Sequence, residues 1–384
     1  MTWLMFIIVA TFGVITLLIP AFLALIENDM KRIIAYSTVS QMGYIILALG
    51  FGSALGLTAA LFHMFNHALL KSMLFLAAGA VIYATGTRDI TKLGGLISKT
   101  PITALAVLVG GLAVAGLPPL NGFASKLLIY EAGLEASFKI GGVIGRLYLL
   151  YTLVAIFVSA LTLLYFMRLF YSVFLGLPSK LTLEARKVPL TMKVPLMILA
   201  TLSIIIGIAP QIIVGPLINP AVVNILGLSK PPVEVTFLGY STSIGFYSAT
   251  ILTLVLLASA SIVLLAYYIS LTFYKRTTLP PSKVIEESKN FKYEVFTGGE
   301  ATPPLLPLEE TKVTPEEFVF ALKTAFSKPY AFSMRGGYER LVIRAAGKIF
   351  GLSREFDIIR FENVSSYVTL YVLIALIILL YVLR

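Results

Sequence analysis

Long apolar runs separated by short polar segments fill the sequence from its first residues. Eight runs have about the 20 residues that a bilayer core of about 30 Å requires, or fall slightly short with clear polar ends. They cover residues 2–26, 34–51, 56–84, 102–136, 147–176, 194–227, 243–274 and 365–383. This pattern predicts an all-α, polytopic membrane protein with about eight transmembrane helices.

The composition supports this prediction and limits the kinds of metal and cofactor site that the chain could form. Of the 384 residues, 58% are hydrophobic and only 13% are charged, and the mean hydropathy is +0.93. Soluble domains carry about 25% charged residues. The chain has no cysteine and two histidines, which excludes disulfides and leaves little to hold zinc or an iron–sulfur cluster. We therefore expect no cofactor-binding site and no metal site in this chain.

The fourth run is too long for one simple helix, and the sequence "GLPPLNG" interrupts it. Gly116, Pro118, Pro119 and Gly122 lie within seven residues. Proline removes a backbone donor, and glycine has a low helix propensity. The interruption predicts a broken helix, with two halves joined by an unwound segment.

The distribution of charge predicts the orientation in the membrane. Residues 275–362 hold 14 of the 30 basic and 12 of the 19 acidic residues, and read as a linker followed by interfacial helices. The net charge of +11 lies in loops, so we do not take it as a sign of nucleic-acid binding. Short loops on one side carry nine basic residues: Lys31, Arg32, Arg88, Lys92, Lys99, Lys180, Arg186, Lys187 and Lys193. The other side carries Lys139, Arg146 and Lys230, with Arg384 at the end. Positive charge favours the cytoplasmic side, which predicts outside termini and a cytoplasmic 275–362 segment.

The third run contains the sequence "FHMFNHALLK", with three ionisable residues spaced by four. In a helix, His63, His67 and Lys71 form one slowly winding line, which we call the ionisable stripe. A charged lysine near the middle of a membrane span is costly on the lipid face, so Lys71 must face protein or a hydrated cavity. Histidine titrates near neutrality, so this stripe could pass a proton along.

Two other interpretations of the stripe stay open at this point. Polar residues inside membrane helices often only hold helices together by hydrogen bonds. A metal site has less support, because His63 and His67 have the spacing but no H-E-x-x-H arrangement and no evident third ligand.

A second lysine, Lys126, follows the interruption by one turn. Irregular backbone at membrane depth marks binding sites in transporters, which makes Lys126 a candidate functional residue. The alternative is a loop lysine at the membrane surface. Glu131 is a candidate accessory group with only a loose i+5 relation to Lys126. The stretch "AYSTVSQMGY" adds the candidate accessory hydroxyls of Ser37, Ser40 and Tyr44, which either line a water path or bond to backbone carbonyls.

The sequence also predicts where two further charged side chains lie. Arg168, in "LLYFMRLFY", is expected to extend toward the cytoplasmic interface. Glu27 is expected to lie in a solvated loop.

Three of these segments together resemble a known family. They are "ENDMKRIIAYSTVSQMGYIILALG" (Glu27–Gly50), "FHMFNHALLKSMLFLAAGAVI" (Phe62–Ile82) and "GLPPLNGFASKLLIYEA" (Gly116–Ala132). In this order and spacing they resemble the antiporter-like subunits of respiratory complex I, of multi-subunit cation/proton antiporters and of membrane-bound hydrogenases. The tail, with "GGYERLVIRAAGKIFG", is most similar to the hydrogenase and sulfane-reductase branch.

The resemblance implies a role for each motif residue. Lys71 would be the central proton-relay lysine, His63 and His67 its connecting histidines, and Lys126 the broken-helix lysine near the outer exit. The implied function is translocation of H⁺ or Na⁺ by a membrane-arm subunit of a complex I-like oxidoreductase, in the cell membrane with other antiporter-like and small membrane subunits. Iron–sulfur and nickel–iron centres would belong to those partners, and this chain would hold no redox site of its own.

The implied organisation has four parts. Residues 1–176 would form one five-helix antiporter-type repeat, 177–274 two further spans, 275–362 the cytoplasmic connector and 363–384 a last span.

The first 26 residues lack a basic n-region and are too long for a signal peptide. Family members begin with about eight more spans, so the resemblance implies that the first repeat is either missing or supplied by another subunit. The alternatives are a subunit of a stand-alone Na⁺/H⁺ antiporter and a structural half-antiporter that does not pump.

Overall fold

The computed structural model of the chain describes residues 2–236, 239–256, 258, 259, 261, 262 and 265. The predicted connector 275–362 and the predicted last span lie outside the described residues, as does the end of the run 243–274.

The described part is mainly helical, which confirms the all-α prediction. Its α-helices are α1 (Thr2–Ile26), α2 (Met30–Gly50), α3 (Ala54–Thr85), α4 (Pro101–Ala115), α5 (Asn121–Ile140), α6 (Gly142–Phe174), α7 (Lys180–Leu183), α8 (Leu190–Ile208), α9 (Gln211–Ile213) and α10 (Asn219–Leu226). Residues 90–92 and 96–98 form 3-10 turns, 214–218 a π turn, and 249–256 are helical. The strands β1 (Glu234–Thr236), β2 (Gly239–Ser241) and β3 (Phe246–Tyr247) pair antiparallel in that order.

Five of these helices are long and apolar enough to cross a membrane by length and composition. They are α1 from Trp3, α2, α3, α6 and α8. Helix α3 lies at the centre, where it packs against α2, α4, α5 and α8. The chain is a multi-pass membrane protein, and the predicted total of eight spans reaches beyond the described residues.

The predicted interruption of the fourth run is confirmed. Helix α4 ends at Ala115, and Gly116 takes a left-handed conformation with φ of 86°. Helix α5 then begins at Asn121. Gly122 was assigned to the break, but it lies in the first turn of α5, where a Cβ atom would come within 1.8 Å of the Ala113 carbonyl oxygen. Only glycine allows the two half-helices to approach this closely.

The sixth and seventh runs were placed incorrectly. The predicted span 194–227 is not one helix, because α8 ends at Ile208 and Pro210 precedes a separate short helical segment, Gln211–Leu226. The predicted span 243–274 starts too early, because the strands β1 to β3 occupy the chain up to Tyr247 and helix begins at 249. Short apolar strands are hard to separate from a helix by hydrophobicity alone.

Arg168 extends toward the turn between α1 and α2, but it is buried there rather than exposed at the interface. Its side chain is 6% exposed, and it donates to the backbone carbonyls of Leu25 and Glu27 and to the side-chain carbonyl of Asn28. Glu27 is 2% exposed rather than solvated, and its carboxylate accepts from the backbone N–H groups of Asn28 and Asp29. The turn between α1 and α2 is therefore fixed from inside by a charged residue of α6.

The packing of α8 against the break gives a first prediction. A Cβ atom on Gly207 would lie 2.1 Å from the Pro119 carbonyl oxygen and 2.6 Å from the Asn121 nitrogen, both rigid backbone. We expect Gly207→Ala to destabilise the folded chain by about 1–3 kcal/mol through overpacking. The thermal unfolding midpoint in detergent measures this.

Gly79 on α3 provides the matched control, because a Cβ atom there meets nothing within 4 Å. Gly79→Ala should leave the midpoint unchanged or raise it, since alanine favours helix by up to about 1 kcal/mol. Equal midpoints for Gly207→Ala and the unchanged chain would show that α8 does not press on the break.

Candidate functional site

The ionisable stripe lies on α3 and is fully inside the protein. The helix begins after Ser53, whose hydroxyl accepts from the Gly56 N–H, and it ends at Gly86 in a left-handed conformation. These caps set the ends of the helix, and the contacts of His63 and Lys71 show that the stripe faces α2, α5 and α6. All three side chains are buried.

Lys71 is held by neutral partners. Its Nζ donates to the Ser37 hydroxyl at 2.5 Å and to the Ile34 carbonyl oxygen at 3.3 Å, both on α2. The Phe166 ring centroid lies 5.7 Å from Nζ, within the range of a cation–π contact. The structure therefore brings Ser37, one of the candidate accessory hydroxyls, directly to the stripe.

His63 connects α3 to two other helices, α5 and α2, by hydrogen bonds. One ring nitrogen, Nδ1, lies 2.9 Å from the Ser125 hydroxyl on α5, and Nε2 lies 3.2 Å from the Gln41 side-chain oxygen on α2. The His67 ring centroid is 6.4 Å away. The two histidines thus stand between Lys71 and the broken helix.

Gln41 was missed by the sequence analysis, although a signal was present. Ser37, Gln41 and Tyr44 follow each other at i, i+4 and i+7 on α2, which places them on one face of a helix. Polar residues repeated on one face of an apolar helix indicate that this face packs against other polar groups. Here the face contacts the ionisable stripe.

Lys126 is even more deeply buried than Lys71, with 1% of its surface exposed against 6%. Its Nζ donates to the Ser159 hydroxyl on α6 at 2.9 Å and to the Ala115 carbonyl oxygen at 3.4 Å. The Tyr44 ring centroid is 4.4 Å from Nζ. Ser159 was missed because a single serine in an apolar helix carries no periodic signal.

The break is held by a buried network of amides. The side-chain amides of Asn66 and Asn121 bond at 3.0 Å, and Asn66 also donates to the Asn121 backbone carbonyl at 3.1 Å. Ser203 on α8 donates to the Asn121 side-chain oxygen at 2.7 Å. These bonds fix the first turn of α5 against α3 and α8, and with it the position of Lys126.

Two candidate accessory residues lie apart from the lysines. The Ser40 hydroxyl donates to the Leu17 carbonyl on α1 at 2.8 Å and so ties two helices together. The Glu131 carboxylate accepts from the Thr242 hydroxyl at 3.0 Å, in the loop between β2 and β3. Next to it, Ser243 donates to Glu135 at 2.7 Å. The strands that the sequence did not predict therefore cover one face of α5.

The donor set does not suit a metal ion. The sequence has no cysteine, and the described residues hold no group of three or more His, Cys, Asp or Glu side chains that could ligate one. His63 is committed to Ser125 and Gln41 instead. What the site can do is hold protons, since lysine and imidazole nitrogens accept and release them and hydroxyls hand them on.

Comparison with known proteins shows which family and which solved structures the chain resembles. The profile of the family described as "NADH:quinone oxidoreductase/Mrp antiporter, TM" matches residues 1–152. A probable K(+)/H(+) antiporter A/B-subunit of Rhizobium meliloti (strain 1021) is 35% identical over 253 residues, 62% of this chain and 25% of that protein. The Na(+)/H(+) antiporter A-subunit of Alkalihalophilus pseudofirmus (strain ATCC BAA-2126 / JCM 17055 / OF4) is 37% identical over 231 residues, 56% of this chain and 29% of that protein. The chain thus spans between a quarter and a third of these two relatives.

Solved structures give the same result. One chain of the membrane-bound sulfane sulfur reductase, an archaeal respiratory membrane complex, matches with a TM-score of 0.67 and 28% identity, covering 97% of this chain and 56% of that one. A chain of the Mrp complex from Dietzia sp. DQ12-45-1b matches with a TM-score of 0.51 and 27% identity, covering 56% and 46%. The resemblance inferred from the three motifs is confirmed. Residues 1–152 of the chain are thus similar to the family described as "NADH:quinone oxidoreductase/Mrp antiporter, TM".

Proposed function

We propose that the chain is an ion-translocating membrane-arm subunit of a complex I-like oxidoreductase such as a sulfane reductase. The observation that carries this proposal is the pair of buried lysines, Lys71 and Lys126, held by neutral groups and separated by two buried histidines. A structural role alone would not require two costly amines inside an apolar bundle. The similarity to a sulfane sulfur reductase chain along 97% of this sequence supports the choice of complex.

In the proposed mechanism, redox chemistry in other subunits changes the electrostatic field along the membrane. Lys71 and Lys126 then change proton occupancy in turn, and His63 and His67 carry the proton between them. Ser125 connects the histidines to the broken helix, because its hydroxyl bonds to His63 one residue before Lys126. Lys126 releases its proton to the outer side. The ion that the complex carries across the membrane is H⁺, Na⁺ or both.

The proposal includes partners and a location. Other antiporter-like and small membrane subunits border this chain, and iron–sulfur and nickel–iron centres belong to the partners. The complex lies in the cell membrane, with both termini outside and residues 275–362 in the cytoplasm, as the count of basic loop residues favours. Residues 1–176 form one antiporter-type repeat and 177–274 two further spans. Segment 275–362 connects to a last span at 363–384.

A second candidate is a subunit of an Na⁺/H⁺ antiporter driven by ion gradients alone. The 37% identity to an Na(+)/H(+) antiporter A-subunit favours it. A third, a non-pumping brace, would need the buried lysines to serve only packing. These candidates differ in what accompanies the chain and in what the lysines do.

The first test is purification of the chain from native membranes in mild detergent, with mass spectrometry of the proteins that accompany it. We expect iron–sulfur subunits and metal in the preparation, because electron transfer must come from partner chains. Co-purification of small membrane subunits alone, without metal, would contradict the redox proposal and support the gradient-driven antiporter.

The second test substitutes the lysines in that complex, reconstituted in vesicles and energised with the electron donor of the identified partner subunits. Lys71→Met and Lys126→Met keep the side-chain length and remove the proton-carrying nitrogen. We expect each to lower ion translocation by at least about a hundredfold, as loss of a proton-transfer group does. An internal pH dye and a sodium dye measure the rate.

Lys139→Met is the matched control, because Lys139 lies on the same helix as Lys126 but is exposed and pairs with Glu135. It should translocate at the unchanged rate. Subunit composition, measured for every variant, separates loss of transport from loss of assembly. Unchanged transport in Lys71→Met and Lys126→Met, with disassembly on deletion of the chain, would establish the brace instead.

A further inference from the structure

A cavity of about 410 Å³ lies at the C-terminal end of α3. One wall is formed by Ile82–Gly86 of α3, and the other by Leu181, Glu184 and Arg186. These three residues belong to the segment 175–189 between α6 and α8, which we call the α6–α8 link. The volume falls within the range of about 300–1,000 Å³ that small-molecule sites occupy. The cavity begins about three helical turns beyond Lys71, so it is separate from the ionisable stripe.

The cavity lies at the level of the membrane surface. Helix α3 has 32 residues, or about 48 Å at 1.5 Å per residue, and is therefore longer than a bilayer core of about 30 Å. Arg88 and Lys92 follow the end of α3, and their side chains are 61% and 65% exposed. Charged side chains this exposed lie outside the hydrocarbon. The last turn of α3, which lines the cavity, is therefore next to the lipid headgroups.

The α6–α8 link combines exposed apolar side chains with exposed basic ones. Leu177 and Leu183 are exposed, and so are Arg186 and Lys187. The link connects two helices that are long and apolar enough to span a membrane. Leucines in such a segment enter the edge of the hydrocarbon, while basic groups stay among the headgroups. The exposed ring of Tyr83 belongs to a residue type that is enriched at membrane interfaces.

The cavity carries charges of both signs that do not neutralise each other. Within the described part of the chain, no ion pair includes Glu184 or Arg186. The backbone N–H of Arg186 donates to the Ala84 carbonyl oxygen at 2.9 Å, which holds the link against α3. The carbonyl groups at the C-terminal end of α3 add partial negative charge. A ligand with one negative and one positive group complements this arrangement.

We propose that the cavity binds the headgroup of a membrane phospholipid that carries a phosphate and a primary ammonium, as phosphatidylethanolamine does. The Arg186 guanidinium holds the phosphate, since arginine and phosphate form strong charge-assisted hydrogen bonds. The ammonium lies toward Glu184 and the last carbonyl groups of α3, which accept its hydrogens. Ile82 and Leu181 provide apolar surface for the beginning of the acyl chains. This site goes beyond the proposed function and does not depend on it.

Other phospholipid headgroups fit the cavity less well. A purely anionic headgroup would place its charge near Glu184 and the negative end of α3, with no positive group of its own to compensate it. The quaternary ammonium of a choline headgroup has the right charge but no hydrogen to donate. We therefore expect phosphatidylethanolamine to bind more tightly than phosphatidylcholine and phosphatidylglycerol.

The test uses the complex purified from native membranes in mild detergent, with its bound lipid exchanged for one added lipid at a time. Phosphatidylethanolamine, phosphatidylcholine and phosphatidylglycerol with the same acyl chains are compared. Mass spectrometry counts the lipid retained by the complex over a range of lipid concentrations. We expect phosphatidylethanolamine to half-fill the site at a concentration about tenfold lower than the other two, because only its ammonium donates hydrogen bonds to a carboxylate.

Substitutions in the cavity separate this site from lipid that other chains retain. Arg186→Gln should raise the half-filling concentration of all three lipids about tenfold, because a charge-assisted hydrogen bond to phosphate is lost. Glu184→Gln should remove the preference for phosphatidylethanolamine without weakening phosphatidylglycerol. Lys187→Gln is the matched control, because Lys187 is exposed next to Arg186 but does not line the cavity. It should bind all three lipids as the unchanged chain does.

Three results would overturn the proposal. Equal losses in Arg186→Gln and Lys187→Gln would show that lipid responds only to the overall positive charge of this end. Equal binding of the three lipids would show that the ammonium is not recognised. Glycerophosphoethanolamine, the headgroup without acyl chains, should compete about a hundredfold more weakly, and equal competition would indicate a soluble ligand instead.

The site can be tested independently of transport. Where Arg186→Gln fails to assemble, the loss of headgroup preference in Glu184→Gln decides, since that side chain is exposed. Neither residue contacts Lys71 or Lys126. Failure of the lipid site would therefore leave the proposed ion translocation intact, and normal transport in the lysine variants would leave the lipid site intact.

Discussion

The constraint on which the rest of the structure depends is the burial of two amines in an apolar bundle. A charged amine removed from water costs several kcal/mol unless fixed dipoles replace the water. Lys71 and Lys126 meet this requirement in the same way. Each donates to one serine hydroxyl and one backbone carbonyl, and each lies against one aromatic ring. These partners come from the helices α2, α4 and α6, which are positioned around the two lysines.

The broken helix supplies one of these partners directly. A helix leaves its last carbonyl groups without intrahelical donors, and Ala115 is the last residue of α4. The Lys126 amine bonds to that carbonyl. The glycines and prolines of the break therefore do more than interrupt a helix, because they free an acceptor at the depth where the lysine needs one. Asn66 and Ser203 then hold Asn121, the first residue of α5, in place by hydrogen bonds to its side chain and its backbone carbonyl.

The sequence was sufficient for features that lie on one helix. The spacing of His63, His67 and Lys71 by four residues, and the proline pair in a long apolar run, predicted the stripe and the break. Features that join different helices could not be predicted. The partnership of Ser159 with Lys126, and of Arg168 with the turn after α1, depends on how α6 is rotated about its axis, which its nearly uniform apolar sequence does not reveal. Gln41 is an intermediate case. The sequence showed which face of α2 it lies on, but not that its side chain contacts His63.

The neutral character of the partners links the packing to transport. Among the described residues, the ion pairs lie in loops and near helix ends, and neither Lys71 nor Lys126 takes part in one. A lysine paired with a buried carboxylate would leave an uncompensated charge on losing its proton, at a cost of several kcal/mol. When a lysine that is held by hydroxyls, carbonyls and an aromatic ring loses its proton, no unpaired charge remains beside it. The hydroxyls can then turn and donate to the neutral amine. The bundle can therefore accommodate both protonation states of each lysine without rearranging its helices, which is what a relay requires and a structural ion pair does not allow.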